Sequence, residues 1–243
     1  MPPDTFTDAP KTDVTRARLR DLISHYHLRP GAQLSISKLS ESLKVSPTPI
    51  REALAHLHGE GLVTWNPNRG YFVPEITADE MVSLAQLLLV LVESSMRGLF
   101  GLQQFQLART DKEPSLEIAD PFIDSLVDDL KPTEPELYVE NTDRFLRRLL
   151  SSQCNEQLLR TFDTISYRTR FIRAIELIDA SFGPTIVSST QEMIDAVRRR
   201  DIAGAIDCLT RLTTARVQRM ERTVELALIK THLNRSPRGG GGF

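Results

Sequence analysis

The sequence predicts a mostly α-helical protein in two parts: three short helices and a β-hairpin first, then an all-helical bundle of about six helices. Three observations predict this. Apolar residues recur at helical spacing along most of the chain. Turns rich in proline and glycine divide the first third into short pieces. Beyond residue 77 no stretch has a convincing strand pattern. We expect a disordered N-terminus at 1–12, a compact domain at 13–74, a helical domain at 75–232 and a flexible tail at 233–243.

The first domain is divided by clear turn signals. Helices are predicted at 14–27, 37–43 and 49–58, and strands at 62–65 and 71–73 surround a turn at 66–70. Three helices and a hairpin in about 60 residues are typical of a winged helix-turn-helix, which binds DNA. The predicted core of this domain consists of Leu39, Leu43, Ile50, Leu54, Leu57 and Leu62.

The third helix has an unusually stiff entrance, VSPTPIREALA. Proline suits the first helical position, and the residue before a proline avoids the helical conformation, so Thr48 is predicted to cap the helix with Pro49 as its first residue. Pro47 stiffens the approach. Arg51 on the first turn could add a cationic contact to a helix end that already attracts phosphate. The alternative is an ordinary capped helix with Arg51 in solvent.

Charge is distributed unevenly along the chain, although the net charge is only −2. Residues 11–74 hold nine Lys/Arg against five Asp/Glu, and residues from 75 onward hold 21 against 25. A basic first part on an acidic body places any contact with nucleic acid in the first third. Chance scatter of charge is the alternative.

The run LRPGAQLSISKLSESLKVSPTPIREALAHLHGEGLVTWNPNRGYFV resembles the DNA-binding domain of GntR-family bacterial repressors, over residues 14–74. The resemblance implies DNA contacts by Ser46, Thr48, Arg51, Thr64 or its neighbours, and the wing at Arg69 and Gly70. Many members have arginine at the position of Pro47, so one contact of the family is absent or moved here.

Chemistry suggests distinct roles for these residues. Arg51 is suited to read guanine or hold a phosphate, and the hydroxyls of Ser46 and Thr48 are suited to phosphates. Arg69, Lys38 and Lys44 are expected to position the DNA backbone, and a solvated face is the equal alternative for the two lysines.

Helices in the second part are predicted at 78–106, 115–130, 135–152, 155–180, 185–199 and 202–230. Thr77 and Glu80 form a capping box that opens the first of them. The apolar stretch 84–92 is too short to span a bilayer, and it serves either a dimer face or the core.

This second part resembles the FCD subgroup of the same family, through SSTQEMIDAVRRRDIAGAIDCLTRL and NTDRFLRRLLSSQCNEQLL. Many FCD members hold a divalent metal through one aspartate and three histidines. Those positions fall here on Thr142, Leu146, Thr190 and Leu212, none of which is a metal ligand. Of the five histidines only His232 lies in the body, so we predict no metal and no other cofactor.

A cavity lined by those four residues could hold an organic acid or a longer apolar effector. A carboxylate would need an arginine, and Arg97, Arg168, Arg170 and Arg173 are the candidates. The alternative for each arginine is solvent exposure, and the two leucines could equally close the cavity into plain core.

The resemblance and the residues together predict a cytoplasmic, homodimeric transcription regulator. It would bind an inverted-repeat operator in double-stranded DNA and respond to a small metabolite in the helical domain. Within the sequence, no P-loop, GxSxG, metal or Cys–His motif points to an enzyme, and nothing suggests a membrane partner. The alternative is a DNA-binding dimer whose helical domain is purely structural and binds no effector.

Overall fold

A computed structural model describes residues 11–99, 134–151, 153 and 155–233. The chain divides into two compact units, one running to Glu75 and including the residues from Thr231 onward, the other comprising Ile76–Lys230. Each unit has its own architecture, and the described part is mostly helical with one small hairpin, which confirms the predicted fold class.

The first unit contains three helices and a two-stranded antiparallel hairpin. These are α1 (Lys11–Ser24), α2 (Ile36–Leu43), α3 (Pro47–Gly59), β1 (Thr64–Asn66) and β2 (Gly70–Phe72). Trp65 pairs with Tyr71 across the hairpin. The first helix begins at Lys11, so the prediction of disorder through residue 12 is wrong at its end. The predicted disorder at 1–10 lies outside the described residues.

The helices of this unit pack around a small leucine-rich core. Leu39, Ile50, Leu54, Leu57 and Leu62 are buried, as predicted. Leu43 is only half-buried, which corrects its assignment to the core, because it is the last residue of α2 and lies next to the exposed turn. That turn begins at Lys44, whose left-handed conformation (φ 54°) ends α2.

The second unit contains five described helices. They are α4 (Ala78–Leu99), α5 (Pro135–Ser151), α6 (Glu156–Ile178), α7 (Gly183–Arg198) and α8 (Ile202–Leu233). Thr77 caps α4 by accepting a hydrogen bond from the Glu80 backbone N–H at 3.3 Å. Asn155 caps α6 through bonds from the backbone N–H groups of Gln157 and Leu158, both at 3.1 Å. The helix predicted at 115–130 and the end of the one predicted at 78–106 lie outside the described residues, and α8 continues into the predicted tail at residue 233.

The main core of this unit forms where α4, α5, α6, α7 and α8 meet. Its centre includes Val92, Met96, Leu150, Phe162 and Ile165, which are almost fully buried. Several leucines of the stretch 84–92 pack into or against this core.

One face of α4 is apolar and exposed. Leu87 and Val90 are 41% and 59% exposed, whereas Leu88 and Val92 on the same helix are buried. By length and composition alone, Ala78–Gly98 would suffice to cross a membrane, with a mean hydropathy of 1.3, which corrects the expectation that no stretch reaches that length. The core helix of a soluble protein passes the same test.

Candidate nucleic-acid interface and effector cavity

The N-terminus of α3 is fully presented to solvent. Ser46, with extended backbone (φ −63°, ψ 159°), is the residue before the helix, and Pro47 is its first residue. The predicted start with Thr48 as cap is therefore wrong by two residues. Both prolines fit a first turn, and the turn after α2 leads directly into Pro47. The Ser46 side chain makes no capping hydrogen bond.

This first turn exposes a small set of donors. Pro47 and Pro49 have no N–H, so the backbone donors of the turn are those of Ser46 and Thr48. Ser46, Pro47, Thr48 and Arg51 are all exposed. Arg51 follows the helix entrance by less than two turns, so its guanidinium and the two hydroxyls lie at the same helix end. Such an end, with its partial positive charge, is suited to phosphate or to a base edge.

The hairpin carries the second predicted contact. Asn68 and Gly70 have positive φ angles of 64° and 86°, which fix the turn. Arg69 between them is exposed, and its guanidinium lies 5.2 Å from the ring centre of Phe72. The side-chain amide of Gln33 donates to the Arg69 carbonyl. The tip of the hairpin is thereby held in place while its cation stays available.

The predicted DNA-binding cations differ from Arg20 in their ion pairing. Within the described residues, no ion pair engages Lys38, Lys44, Arg51 or Arg69, and all four are exposed. By contrast, Arg20 of α1 pairs with Glu60 at 2.5 Å. Uncompensated exposed cations are what a phosphate backbone attracts.

A cavity opens inside the helical unit. Its volume is about 60 Å³, counted as the space open to the centre of a water molecule. All four positions singled out in the sequence line it, namely Thr142, Leu146, Thr190 and Leu212. Apolar neighbours supply most of the remaining wall, including Met81, Ala85, Leu88, Leu89, Ile172, Met193, Leu209 and Met220.

Of the four arginines proposed for an effector, only Arg173 lines this cavity. Arg97 is exposed and pairs with Glu93 at 2.7 Å. Arg168 pairs with Glu80 near the start of α4. Arg170 faces Asp143, with 3.7 Å between its Nη2 and Oδ2 of the carboxylate.

Arg173 is held in a buried network. Its Nη1 and Nη2 donate to Oδ1 and Oδ2 of Asp143 at 2.6 and 3.0 Å, and Nη2 also donates to the Ser166 carbonyl at 3.1 Å. Ser166 Oγ donates to the same carboxylate. Since both terminal nitrogens are engaged, Arg173 shapes the cavity wall and has little capacity left for a ligand.

Two charged residues that the sequence did not single out complete the lining. Arg216 of α8 donates through Nε to Oε2 of Glu176 at 2.9 Å, and both residues line the cavity. Glu176 lies on α6, 40 residues away in sequence, so the pair itself has no local signal. Arg216 does have one, because it lies one helical turn after Leu212 and therefore on the same face.

Burial changes the pKa of two residues at the cavity, Glu176 and Tyr138. The Glu176 carboxyl is fully enclosed, and desolvation raises its pKa, against the opposing attraction of Arg216 and Arg173. Burial likewise raises the pKa of Tyr138, opposed by a hydrogen bond with Thr190 and by Arg216. The cavity thus holds a carboxyl that takes up a proton more readily than an ordinary glutamate.

The cavity residues do not fit a divalent metal. The four positions offer two hydroxyls and two alkyl groups, and no His or Cys is in the lining. Within the described ranges, His, Cys, Asp and Glu nowhere form a group of three or more suited to a metal ion.

Comparison with known proteins agrees with this architecture. Residues 11–73 match the family described as bacterial regulatory proteins, gntR family. The Nta operon transcriptional regulator of Aminobacter aminovorans is 33% identical over 151 residues, which cover 62% of this chain and 68% of that protein.

Solved structures of regulators share the fold. A putative transcriptional regulator GntR from Rhodococcus sp. RHA1 superposes with a TM-score of 0.61 at 22% identity, covering 90% of this chain and 99% of that one. E. coli McbR/YncC gives a TM-score of 0.63 at 19% identity, covering 87% and 97%. The winged helix-turn-helix matches the gntR family model over residues 11–73, and the chain is related to the Nta operon regulator. This chain therefore belongs to the gntR family of DNA-binding transcription regulators.

Proposed function

We propose that the protein is a homodimeric regulator that binds an inverted-repeat operator and changes its affinity for that operator when a small metabolite occupies the helical cavity. The observation that carries the DNA half is the exposed entrance of α3, where Ser46, Thr48 and Arg51 are exposed and Arg51 has no ion pair among the described residues. Arg51 would reach into the major groove, and Ser46 and Thr48 would hold phosphates. We expect it to act in the cytoplasm, where bacterial DNA is found.

The hairpin would supply the second contact with the same duplex. Arg69 and Gly70 form its tip, and Lys38 and Lys44 add exposed charges on and just after α2. These cations would neutralise phosphates without reading sequence, so they should contribute to affinity for every duplex alike. Specificity would then depend mainly on Arg51 near the start of α3.

Two copies of the chain are expected on one operator. A helix-turn-helix unit reads a short half-site, and pairing by a two-fold axis doubles the contacts on an inverted repeat. The exposed apolar face of α4, with Leu87 and Val90, is a suitable surface for such pairing.

The cavity supports the effector half of the proposal and a place in the FCD subgroup. It combines a mostly apolar wall with a few convergent polar groups, which is typical of small-molecule sites. Because its residues do not fit a metal, the ligand would be held by side chains of this chain directly. The alternative, a purely structural helical domain, requires that filling this space leaves DNA affinity unchanged.

A two-step experiment tests the proposal. Selection from a pool of random duplexes should enrich an inverted repeat, and analytical ultracentrifugation should give two chains per enriched duplex. A single unrepeated motif bound by one chain would contradict the dimer. A melting-temperature panel of small acids, amines, sugars and acyl thioesters then identifies ligands of the cavity, since a compound that binds only the folded state raises the midpoint.

A further inference from the structure

The cavity contains one guanidinium whose terminal nitrogens remain available. Arg216 engages Glu176 through Nε alone, and among the described residues its Nη1 and Nη2 have no hydrogen-bond acceptor. The other lining arginine, Arg173, has both terminal nitrogens on Asp143. Arg216 is therefore the group of the wall that can offer two parallel N–H donors to a ligand.

The charge of the site favours an anion. Three arginines, at 170, 173 and 216, lie in or directly behind the wall, against two carboxylates, Asp143 and Glu176. With both carboxylates ionised, the balance is one excess positive charge in a mostly apolar cavity, and a single ligand carboxylate would neutralise it. Glu176 opposes such a ligand only weakly, because it occupies the Nε side of Arg216.

The volume limits the size of the ligand. A water molecule needs roughly 10–15 Å³ of such space, so a cavity of about 60 Å³ has room for about four to six water-sized groups. Propanoate and butanoate have five and six non-hydrogen atoms, whereas octanoate has ten.

The remaining wall suits a short alkyl chain. Met81, Leu88, Leu89 and Met193 provide apolar and partly flexible surface. The Thr142 hydroxyl donates to the Tyr138 carbonyl at 2.9 Å, which leaves its oxygen as an acceptor.

We propose that Arg216 anchors a short-chain monocarboxylate of the size of propanoate or butanoate, with the carboxylate on its Nη atoms and the alkyl chain against α4. This rests on the proposed function, in which the same cavity is the effector site. The cavity that the described residues form is too small for a fatty acyl chain.

Isothermal titration of the full chain with straight-chain acids from acetate to octanoate tests the size limit. Affinity should rise about fourfold per methylene up to butanoate and fall for hexanoate and octanoate. Butanamide, which matches the shape of butanoate without its negative charge, and butylamine, which carries a positive charge, should not bind. Tightest binding by octanoate, or equal binding by butanamide, would overturn the proposal.

Variants test the anchor. Arg216→Gln should weaken butanoate binding by about 30-fold or more, Arg216→Lys should restore part of it, and Arg211→Gln, an exposed neighbour on α8, should leave it unchanged. If Arg216→Gln misfolds because Glu176 loses its partner, the double variant Glu176→Gln/Arg216→Gln removes both charges and must still lose butanoate. Wild-type affinity in a folded Arg216 variant would refute the anchor.

The outcome separates this inference from the proposed function. If butanoate binds through Arg216 but the affinity for the selected duplex does not change, the site is correct and the regulatory role is wrong. If no carboxylate binds while another class of compound shifts DNA affinity, the regulatory role stands and the ligand class proposed here is wrong.

Discussion

Asp143 and Arg173 form a two-pronged ion pair between α5 and α6, with N–O distances of 2.6 and 3.0 Å. Both side chains are more than nine-tenths buried. The carboxylate also accepts from Ser166 and faces Arg170. This pair forms part of the cavity wall, and it engages both terminal nitrogens of Arg173.

Removing Asp143 should destabilise the helical unit strongly. Asp143→Ala leaves a buried guanidinium without its partner, and we expect the free energy of unfolding to fall by about 3–5 kcal/mol. Urea unfolding followed by circular dichroism measures the change. Asp163→Ala is the matched control, because its pair with Arg147 is partly solvent-exposed, at 50% for Arg147 and 33% for Asp163, and should contribute less than about 1 kcal/mol. Similar losses in the two variants would show that the buried pair has no special role.

Leu54 tests the core of the DNA-binding unit. It is fully buried in α3, so Leu54→Ala should cost about 2–5 kcal/mol of stability. Leu43→Ala, at the half-buried end of α2, should cost clearly less. Both values come from chemical denaturation of the full chain. An equal cost at the two positions would mean that the packing of this unit differs from the one described.

Arg51 tests the recognition surface. Arg51→Ala should weaken binding to the selected duplex by about 1–3 kcal/mol and reduce its preference over scrambled DNA. Arg160→Ala, an exposed arginine near the start of α6, serves as the control and should leave both quantities unchanged. Fluorescence anisotropy with labelled duplexes gives the affinities. A loss of affinity with intact discrimination would assign Arg51 to a phosphate rather than a base.

Glu176 should give the protein a specific dependence on pH. Its pKa in the folded protein is raised by burial above the ordinary glutamate value of about 4.3, so the folded state holds the proton more tightly than the unfolded state. The stability gained is complete below the ordinary pKa and is lost as pH rises through the raised one. Glu176→Gln should remove that loss, since it cannot ionise.

Unfolding midpoints of wild type and Glu176→Gln across pH 4 to 8 measure this effect. The difference between the two curves isolates Glu176 from the other groups that titrate in this range. As pH rises, the unfolding midpoint of Glu176→Gln should increase relative to that of the wild type. Parallel curves would show that the carboxyl is not buried as described.

The exact start of α3 could not be predicted from sequence. Pro47 and Pro49 each suit a first helical position, and Ser46 and Thr48 are each good caps. Local preference therefore allows α3 to begin at either of two residues. In the fold it begins at the earlier one, because the left-handed turn at Lys44 places Ser46 directly before the helix. The core leucines were predictable, since their spacing follows the helix period.

The cavity was predictable in part. Position in the resembling family predicts Thr142, Leu146, Thr190 and Leu212 as lining residues, and all four line the cavity. Which arginines line the cavity could not be predicted from the sequence. An ion pair between residues 40 apart, such as Glu176 and Arg216, depends on how α6 and α8 pack. Helical phase places Arg216 one turn after Leu212, and this spacing is the signal in the sequence that identifies it.

The most direct test of the account is the affinity of the full chain for its selected duplex, with and without a saturating ligand of the cavity. Anisotropy titration should show a change of about 5- to 150-fold, the usual range for coupled sites. Equal affinities with the cavity demonstrably filled would contradict a metabolite-responsive regulator and would leave the helical unit a structural part of a DNA-binding protein.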